Sequence, residues 1–261
     1  MKQLFYFLML AFIVTACSKD DGLESFQGND LSGTGEGTSG SITRFTTFGD
    51  YLYALDQNQV LTYDISAKNE PVLVSKLKTD YGLETIIIYD ATIFVGSRNA
   101  LYILDIANPA YPSVISKSER DDLNLTGGCD PVVVKENHAF ATVKIIENVC
   151  GQTSMQSQLL VYDITDKINP ELLVTVAMDI PNGLGYRGDY LFVCDEGRNE
   201  IVIFDISSPG NIFEFDAIPL DAPIDIIIRE DRMIVSTKNN FTIYDISDIQ
   251  NIREVAFIPL T

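Results

Sequence analysis

The sequence Leu101-Tyr102-Ile103-Leu104-Asp105-Ile106-Ala107 is one of five copies of a short segment in which an apolar strand ends in an aspartate and a turn. The other copies are Val60 to Ser66, Leu159 to Thr165, Ile201 to Ser207 and Phe241 to Ser247. Their aspartates, Asp64, Asp105, Asp163, Asp205 and Asp245, are 41, 58, 42 and 40 residues apart. A strand-built repeat of about 40 to 45 residues is typical of a propeller. We therefore expect an all-β fold, a five-bladed β-propeller of four-stranded antiparallel blades.

Each repeat is predicted to contain four strands, which in the first repeat are Thr43 to Phe48, Tyr51 to Leu55, Val60 to Asp64 and Val72 to Leu77. The first and second strands of the five repeats are joined by Gly49-Asp50, Tyr89-Asp90, Glu136-Asn137, Gly188-Asp189 and Glu230-Asp231. Asp and Asn tolerate the backbone conformations of tight hairpins. Because side-chain oxygens before a turn satisfy backbone donors, we interpret the repeat aspartates as turn-forming acceptors and not as five active sites. Each repeat begins with an inner strand, so no strand exchange joins the last repeat to the first unless residues 23–27 add a strand. Closure would otherwise depend on packing of the fifth repeat against the first, and an open or oligomeric array is the alternative.

The third strand and its turn resemble the LVIVD repeat, a family of β-propeller proteins of bacterial and archaeal surfaces. The segment most similar to the family pattern runs from Leu101 to Pro109 and includes the turn Asn108-Pro109. Asn169-Pro170 keeps this turn in the third repeat, whereas Glu70-Pro71, Ser208-Pro209 and Gln250-Asn251 depart from it. The resemblance extends over residues 41–261 and implies five LVIVD-like repeats. It implies an architecture and no catalytic residues.

Residues 1–16 predict a secretory signal peptide. Lys2 precedes an apolar run from Leu4 to Val14 that is too short to span a membrane. The sequence Val14-Thr15-Ala16-Cys17 resembles a bacterial lipobox. This resemblance implies that Cys17 is acylated, for example with palmitate, and becomes the lipid-anchored N-terminus. The alternative is a signal peptide followed by a coincidental cysteine.

Residues 17–40 are predicted to form a flexible linker. Ser18-Lys19-Asp20-Asp21 resembles the export tag of surface lipoproteins in the Bacteroidetes, which implies a lipid-anchored protein of the outer membrane that faces the cell surface. The alternative is an ordinary solvated tether. The rest of the segment is rich in glycine, serine and acidic residues, which offer too little apolar surface to offset the entropy of ordering.

The charge of the chain argues against one class of partner. There are 37 acidic and 18 basic residues, and the formal net charge is -19. Such a chain repels phosphate backbones, so we expect no nucleic-acid partner. The acidity is compatible with cation binding or with a solvated acidic surface.

One rim of the propeller is expected to gather polar residues from all five repeats. The loops that enter the first strands and those between the second and third strands fall on the same rim, because the strands of a blade run up and down. The ligand-binding candidates there are Arg44, Glu84, Asp130, Asn182, Asp225, Asp56 and Asp195. Converging carboxylates can hold Ca2+, with Glu84, Asp130 and Asp225 as metal candidates, or bind a polyhydroxylated ligand. A solvated acidic rim without a ligand is the alternative.

The cysteines predict one disulfide. Lys144 to Gln158 form an insertion that contains Cys150, and Cys129 lies in the loop that enters the same repeat. Both fall on the same rim, so in an oxidising exported location we expect a Cys129–Cys150 bridge that holds the insertion over the mouth of the propeller. Cys194 lies in a strand and is predicted to be a buried free thiol.

Sequence signals for catalysis are few. His138 is the single histidine, and there is neither a Gly-x-Ser-x-Gly elbow nor a phosphate-binding glycine loop. We therefore expect a non-enzymatic lipoprotein that binds a protein, glycan or other extracellular ligand at one rim. Two alternatives stay open: a calcium-dependent, lactonase-like propeller hydrolase, and a scaffold subunit of a surface complex.

Overall fold

Each repeat forms one four-stranded antiparallel sheet in the computed structural model, which describes residues 39–40, 43–98, 100–119, 131–145 and 156–260. A short strand, β1 (Ser39–Gly40), precedes the first sheet. Blade 1 contains β2 (Phe45–Phe48), β3 (Tyr51–Asp56), β4 (Gln59–Asp64) and β5 (Val72–Lys78). Blade 2 contains β6 (Leu83–Tyr89), β7 (Thr92–Ser97), β8 (Ala100–Asp105) and β9 (Ser113–Glu119).

The remaining three sheets repeat this order. Blade 3 contains β10 (Val132–Lys135), β11 (His138–Val143), β12 (Gln158–Asp163) and β13 (Glu171–Ala177). Blade 4 contains β14 (Pro181–Arg187), β15 (Tyr190–Asp195), β16 (Glu200–Asp205) and β17 (Phe213–Pro219). Blade 5 contains β18 (Pro223–Arg229), β19 (Arg232–Thr237), β20 (Asn240–Asp245) and β21 (Arg253–Pro259). The five sheets are arranged radially as a five-bladed β-propeller, which confirms the expected fold class.

The first hairpin of each blade turns at the predicted residues, with one shift. Gly49, Glu136, Gly188 and Glu230 all have positive φ, between 52° and 56°. In blade 2 the turn is Asp90–Ala91, one residue later than predicted, because Tyr89 still pairs with Thr92. The aspartate therefore takes the left-handed position that glycine occupies in two other blades, as its short polar side chain allows.

The repeat aspartates close the turn between the third and fourth strands of each blade. Each accepts a hydrogen bond from the backbone N–H two residues later, at 2.9, 2.8, 2.8, 2.9 and 3.0 Å in chain order. In blade 4 the next residue, Ile206, donates its own N–H to the carbonyl of Asp189 in the first hairpin, at 2.8 Å. In this blade the consecutive residues Asp205 and Ile206 thus join the turn after the third strand to the first hairpin at the same rim. This agrees with the interpretation of the repeat aspartates as turn-forming acceptors.

The core lies between successive blades, in four hydrophobic clusters. We call the face of a blade that packs on the next blade its forward face, and the opposite face its backward face. On the forward face of blade 4, Phe192, Cys194, Ile201 and Ile203 meet Ile226, Ile228, Met233 and Val235 on the backward face of blade 5. Cys194 is fully buried and is a free thiol among the described residues, as predicted. Blades 2, 3 and 4 are covered on both faces.

Blades 5 and 1 differ from the other neighbours. The four clusters join blades 1 and 2, 2 and 3, 3 and 4, and 4 and 5, and among the described residues none joins blade 5 to blade 1. The four clusters of the described residues therefore do not include the expected packing of the fifth repeat against the first. Instead, β1 lies against the inner strand of blade 4, with Ser39 opposite Gly185 and Gly40 opposite Leu184, and also contacts β10 and β18.

Several predictions fall outside the described residues. They are the signal peptide of residues 1–16, the lipid attachment at Cys17, the linker up to residue 38, Cys129, Asp130 and Cys150. Within the described ranges, no helix is long and apolar enough to cross a membrane.

Candidate functional site

The rim that carries the connections between second and third strands is the mouth of the propeller. Of the seven candidates, four lie at or before the start of a first strand: Arg44, Glu84, Asn182 and Asp225. Asp56 and Asp195 lie at the ends of the second strands β3 and β15. The fold therefore places the six described candidates on one rim, and Asp130 falls outside the described residues.

A hydrogen-bonded cluster of three side chains joins blades 3 and 4 at the mouth. Lys144 donates through Nζ to Asn182 Oδ1 and to Glu196 Oε2, both at 3.0 Å. Asn182 donates through Nδ2 to Glu196 Oε2 at 3.2 Å and to the carbonyl of Pro223 in blade 5 at 3.1 Å. Hydrogen bonds from Lys144 first, and from Asn182 second, lower the pKa of the Glu196 carboxyl. The cluster is therefore an ionised pair held by a buried amide.

Close approach of the blades fixes this cluster. The Thr142 hydroxyl, just before Lys144, donates to the backbone carbonyl of Asn182 at 2.8 Å, which aligns β11 with β14. Gly183 follows Asn182, and a Cβ at this position would lie 2.2 Å from Oδ1 and 2.7 Å from Cα of Asp225. Only glycine permits this contact between blades 4 and 5. Asp225 itself accepts a hydrogen bond from the N–H of Ile226 at 3.0 Å.

A second ion pair lies on blade 2. Arg98 Nε donates to Glu84 Oε1 at 3.1 Å, and Arg44 donates through Nη2 to the carbonyl of Leu83 at 3.4 Å. Glu84 and Glu196 are thus each paired with a cation. Within the described residues there is no group of three or more His, Cys, Asp or Glu side chains placed to hold a metal ion.

Asp195 is held by hydrogen bonds from the backbone. Its carboxylate is fully buried and accepts hydrogen bonds from the backbone N–H groups of Asp179, Ile180, Gly197 and Arg198, at 3.1, 2.9, 3.1 and 3.3 Å. These donors occupy the carboxylate, so it contributes to the shape of the mouth and not to contacts with a ligand. Asp56, at the same repeat position in blade 1, is exposed.

The residue after each second strand was missed by the sequence analysis, although it recurs in register. These residues are Gln57, Arg98, Lys144, Glu196 and Lys238. Aligning the five repeats at the ends of their second strands would have shown this ring of polar side chains. Tyr81, in the loop that enters blade 2, was also missed; it is 73% exposed and adds an aromatic ring to the same rim.

The comparisons with known proteins agree with this architecture. A family model, the LVIVD repeat, matches residues 40–79, 85–118 and 184–216. The chain contains LVIVD repeats. The matched segments correspond to blades 1, 2 and 4, and blade 2 includes the segment Leu101 to Pro109 that resembles the family most. No curated protein matches the sequence.

Solved structures share the fold of this chain at low sequence identity. A functionally unknown protein from Desulfotomaculum acetoxidans has a TM-score of 0.65 at 12% identity, over 82% of this chain and 67% of that one. A provisionally assigned 6-phosphogluconolactonase from Bacteroides uniformis has a TM-score of 0.61 at 13% identity, over 81% and 69% of the two chains. A chain of a nidogen/laminin complex has a TM-score of 0.55 at 14% identity, over 80% and 75%. At these identities the likeness extends to the fold alone.

Proposed function

We propose that this chain is a non-enzymatic lipoprotein of the bacterial outer membrane that binds a polyhydroxylated ligand, such as a glycan, at the mouth of its propeller. The observation that carries the proposal is the cluster of Lys144, Asn182 and Glu196. It offers an ammonium donor and a carboxylate acceptor 3.0 Å apart, and the buried amide of Asn182 holds both in place. Hydroxyl groups both donate and accept hydrogen bonds, so such a mixed set suits them better than it suits a simple cation or anion.

The exposed ring of Tyr81 supports the same ligand class. Aromatic side chains combine an apolar face with a polar tip, which matches the apolar faces and hydroxyl edges of a sugar ring. A glycan bound at the mouth would stack on Tyr81 and place hydroxyl groups at the polar ring that contains Lys144 and Glu196.

The lipobox-like and export-tag-like sequences are the basis for the outer-membrane and surface assignment.

A lactonase-like hydrolase is the second candidate, because one of the similar solved structures is provisionally assigned as a 6-phosphogluconolactonase. At 13% identity that likeness transfers no residue to this chain. A calcium-dependent reaction would need carboxylates free to bind the cation, whereas Glu84 and Glu196 are both paired. A scaffold role in a surface complex would use the same anchor with a protein partner.

A glycan array probed with the full-length chain tests the proposal. We expect the wild-type chain to bind a subset of the glycans, and Lys144→Ala to weaken that binding about tenfold, the equivalent of about 1.4 kcal/mol. Lys135→Ala is the matched control, because Lys135 forms a similar ion pair with Asp189 at the opposite rim. Absence of glycan binding, or equal weakening by both substitutions, would contradict a glycan site at the mouth.

A further inference from the structure

Among the described residues, two apolar sheet faces lack the cover that the other blades have. On the forward face of blade 5, Ile227 is 50% exposed, and Ile234, Phe241 and Ile243 are only partly buried. On the backward face of blade 1, Phe45 is 61% exposed, and Leu52, Leu61 and Tyr63 are partly buried. At the other four interfaces a forward face packs on a backward face. The two uncovered faces are one forward face, on blade 5, and one backward face, on blade 1, so they could pack in the same way.

The uncovered face of blade 5 contains a cavity of about 480 Å³. Its lining includes Ile234, Ile243 and Val255, together with Arg229 and Arg232. At the preceding interface, Met233 and Tyr244 of blade 5 pack on the forward face of blade 4. The residues of blade 1 in the same register are the partly buried Leu52 and Tyr63.

A series of ion pairs also points to blade 1 as the missing neighbour. Lys135, at the end of β10, pairs with Asp189 in the first hairpin of blade 4 at 2.6 Å. Arg187, at the end of β14, pairs with Asp231 in the first hairpin of blade 5. The next members in register are Arg229, at the end of β18, and Asp50 in the first hairpin of blade 1. Both are exposed, and within the described part of the chain neither is in an ion pair.

We infer that two copies of this chain associate head to tail, with blade 5 of one protomer packed on blade 1 of its partner and Arg229 paired with Asp50 across the contact. Burial of the two apolar faces drives the association, and the ion pair sets its register. A contact of this kind joins different surfaces on the two protomers, so it covers the forward face of blade 5 in one copy and the backward face of blade 1 in the other. This inference is independent of the proposed ligand.

Cysteine cross-linking in the full-length chain tests this arrangement. One copy carries Asp50→Cys and a differently tagged second copy carries Arg229→Cys; they are co-expressed and oxidised. We expect a disulfide-linked dimer that contains both tags, and none with wild-type chains, which measure the background from the native cysteines. The double variant Lys135→Cys, Asp189→Cys is the positive control, because these residues face each other within one chain.

Apolar substitutions separate a specific contact from chance collision. Ile227→Asp and Phe45→Asp place a charge on the two uncovered faces and are expected to abolish most of the cross-linked dimer. Leu172→Asp alters a similarly exposed residue of β13, outside both faces, and should leave the dimer unchanged. Absence of the dimer while the positive control cross-links would overturn the inference. So would a chain with Asp50→Cys and Arg229→Cys that links only within itself, because the ring would then close in one protomer.

Discussion

The carboxylate of Asp195 accepts a hydrogen bond from the backbone N–H of Ile180 at 2.9 Å, which joins the end of β15 to the loop that enters blade 4. Three further backbone N–H groups donate to the same carboxylate, from Asp179, Gly197 and Arg198. A buried carboxylate that accepts several N–H groups is strongly stabilised, and it in turn satisfies donors that would otherwise be buried without partners. Asp195 thus supports the edge of the mouth where Glu196 binds Lys144.

Replacing Asp195 by alanine is expected to destabilise the fold. The substitution leaves several backbone donors without an acceptor, which costs about 2 kcal/mol or more in the free energy of unfolding. Asp56→Ala, at the same repeat position but exposed, should change that free energy by less than about 0.5 kcal/mol. Urea unfolding of the two variants and the wild type measures both effects. Equal unfolding midpoints would show that the buried carboxylate contributes no net stability.

The contrast between Asp56 and Asp195 also shows where the sequence is informative. The strands and turns could be predicted because alternation of apolar residues and a turn-forming aspartate are local signals, repeated five times. The role of Asp195 could not be predicted in this way, because it depends on the length of the connection between the second and third strands. Four residues join β15 to β16, whereas two join β3 to β4. Only the longer turn brings the N–H groups of Gly197 and Arg198 back to the carboxylate.

The candidate site was predicted as a rim and not as a set of contacts. Pairing of Glu196 with Lys144 depends on how blades 3 and 4 pack, which no local pattern specifies. The same holds for the uncovered faces of blades 1 and 5. Their sequences have the alternation of the other blades, and only the relative placement of the blades shows that no hydrophobic cluster of the described residues joins them.

The pKa of Asp245 provides a test of the repeat turn. Hydrogen bonds from the Ser247 hydroxyl and backbone N–H lower it from 3.8 to about 2, with a smaller contribution from Arg232. Ser247→Ala removes the hydroxyl donor, so the pKa of Asp245 should rise while that of Asp64, in blade 1, stays unchanged. Carboxyl-detected NMR titration measures both. If the pKa of Asp245 were the same in Ser247→Ala as in the wild type, the Ser247 hydroxyl would not be the cause of its lowered pKa.

The same turns predict how stability depends on pH. Asp64, Asp163, Asp205 and Asp245 have pKa values lowered chiefly by the hydroxyl two residues later. Because the folded state favours the ionised form, the stabilisation is complete above the unfolded pKa of 3.8 and is lost as the pH falls through the folded values. We expect the thermal midpoint to drop as the pH falls from 3.8 towards 2, and to drop less in Ser247→Ala. A midpoint independent of pH in that range would contradict this linkage.

Reduction is expected to destabilise the protein if Cys129 and Cys150 are bridged. The bridge would close a loop of about 20 residues, for which the chain-entropy estimate is about 3 kcal/mol. Unfolding in denaturant with and without a reductant measures the difference, and Cys129→Ser with Cys150→Ser should remove it. Cys194 is the internal control, because its buried thiol should react with an alkylating reagent only after unfolding. Rapid alkylation of Cys129 and Cys150 in the native oxidised protein would refute the bridge.

Calcium is expected to leave the stability of the chain unchanged. Glu84 is paired with Arg98 and Glu196 with Lys144, so a cation would have to compete with a resident ammonium or guanidinium group for each carboxylate. Thermal melts of the full-length chain with calcium, and then with excess chelator, measure this. A ligand that binds only the folded state would add about 2.7 kcal/mol at 100 times its dissociation constant. A chelator-reversible rise of that size would instead indicate a metal site that includes Asp130 or Asp225. Its loss in Asp225→Asn but not in Asp56→Asn would favour the lactonase-like alternative over a glycan-binding role.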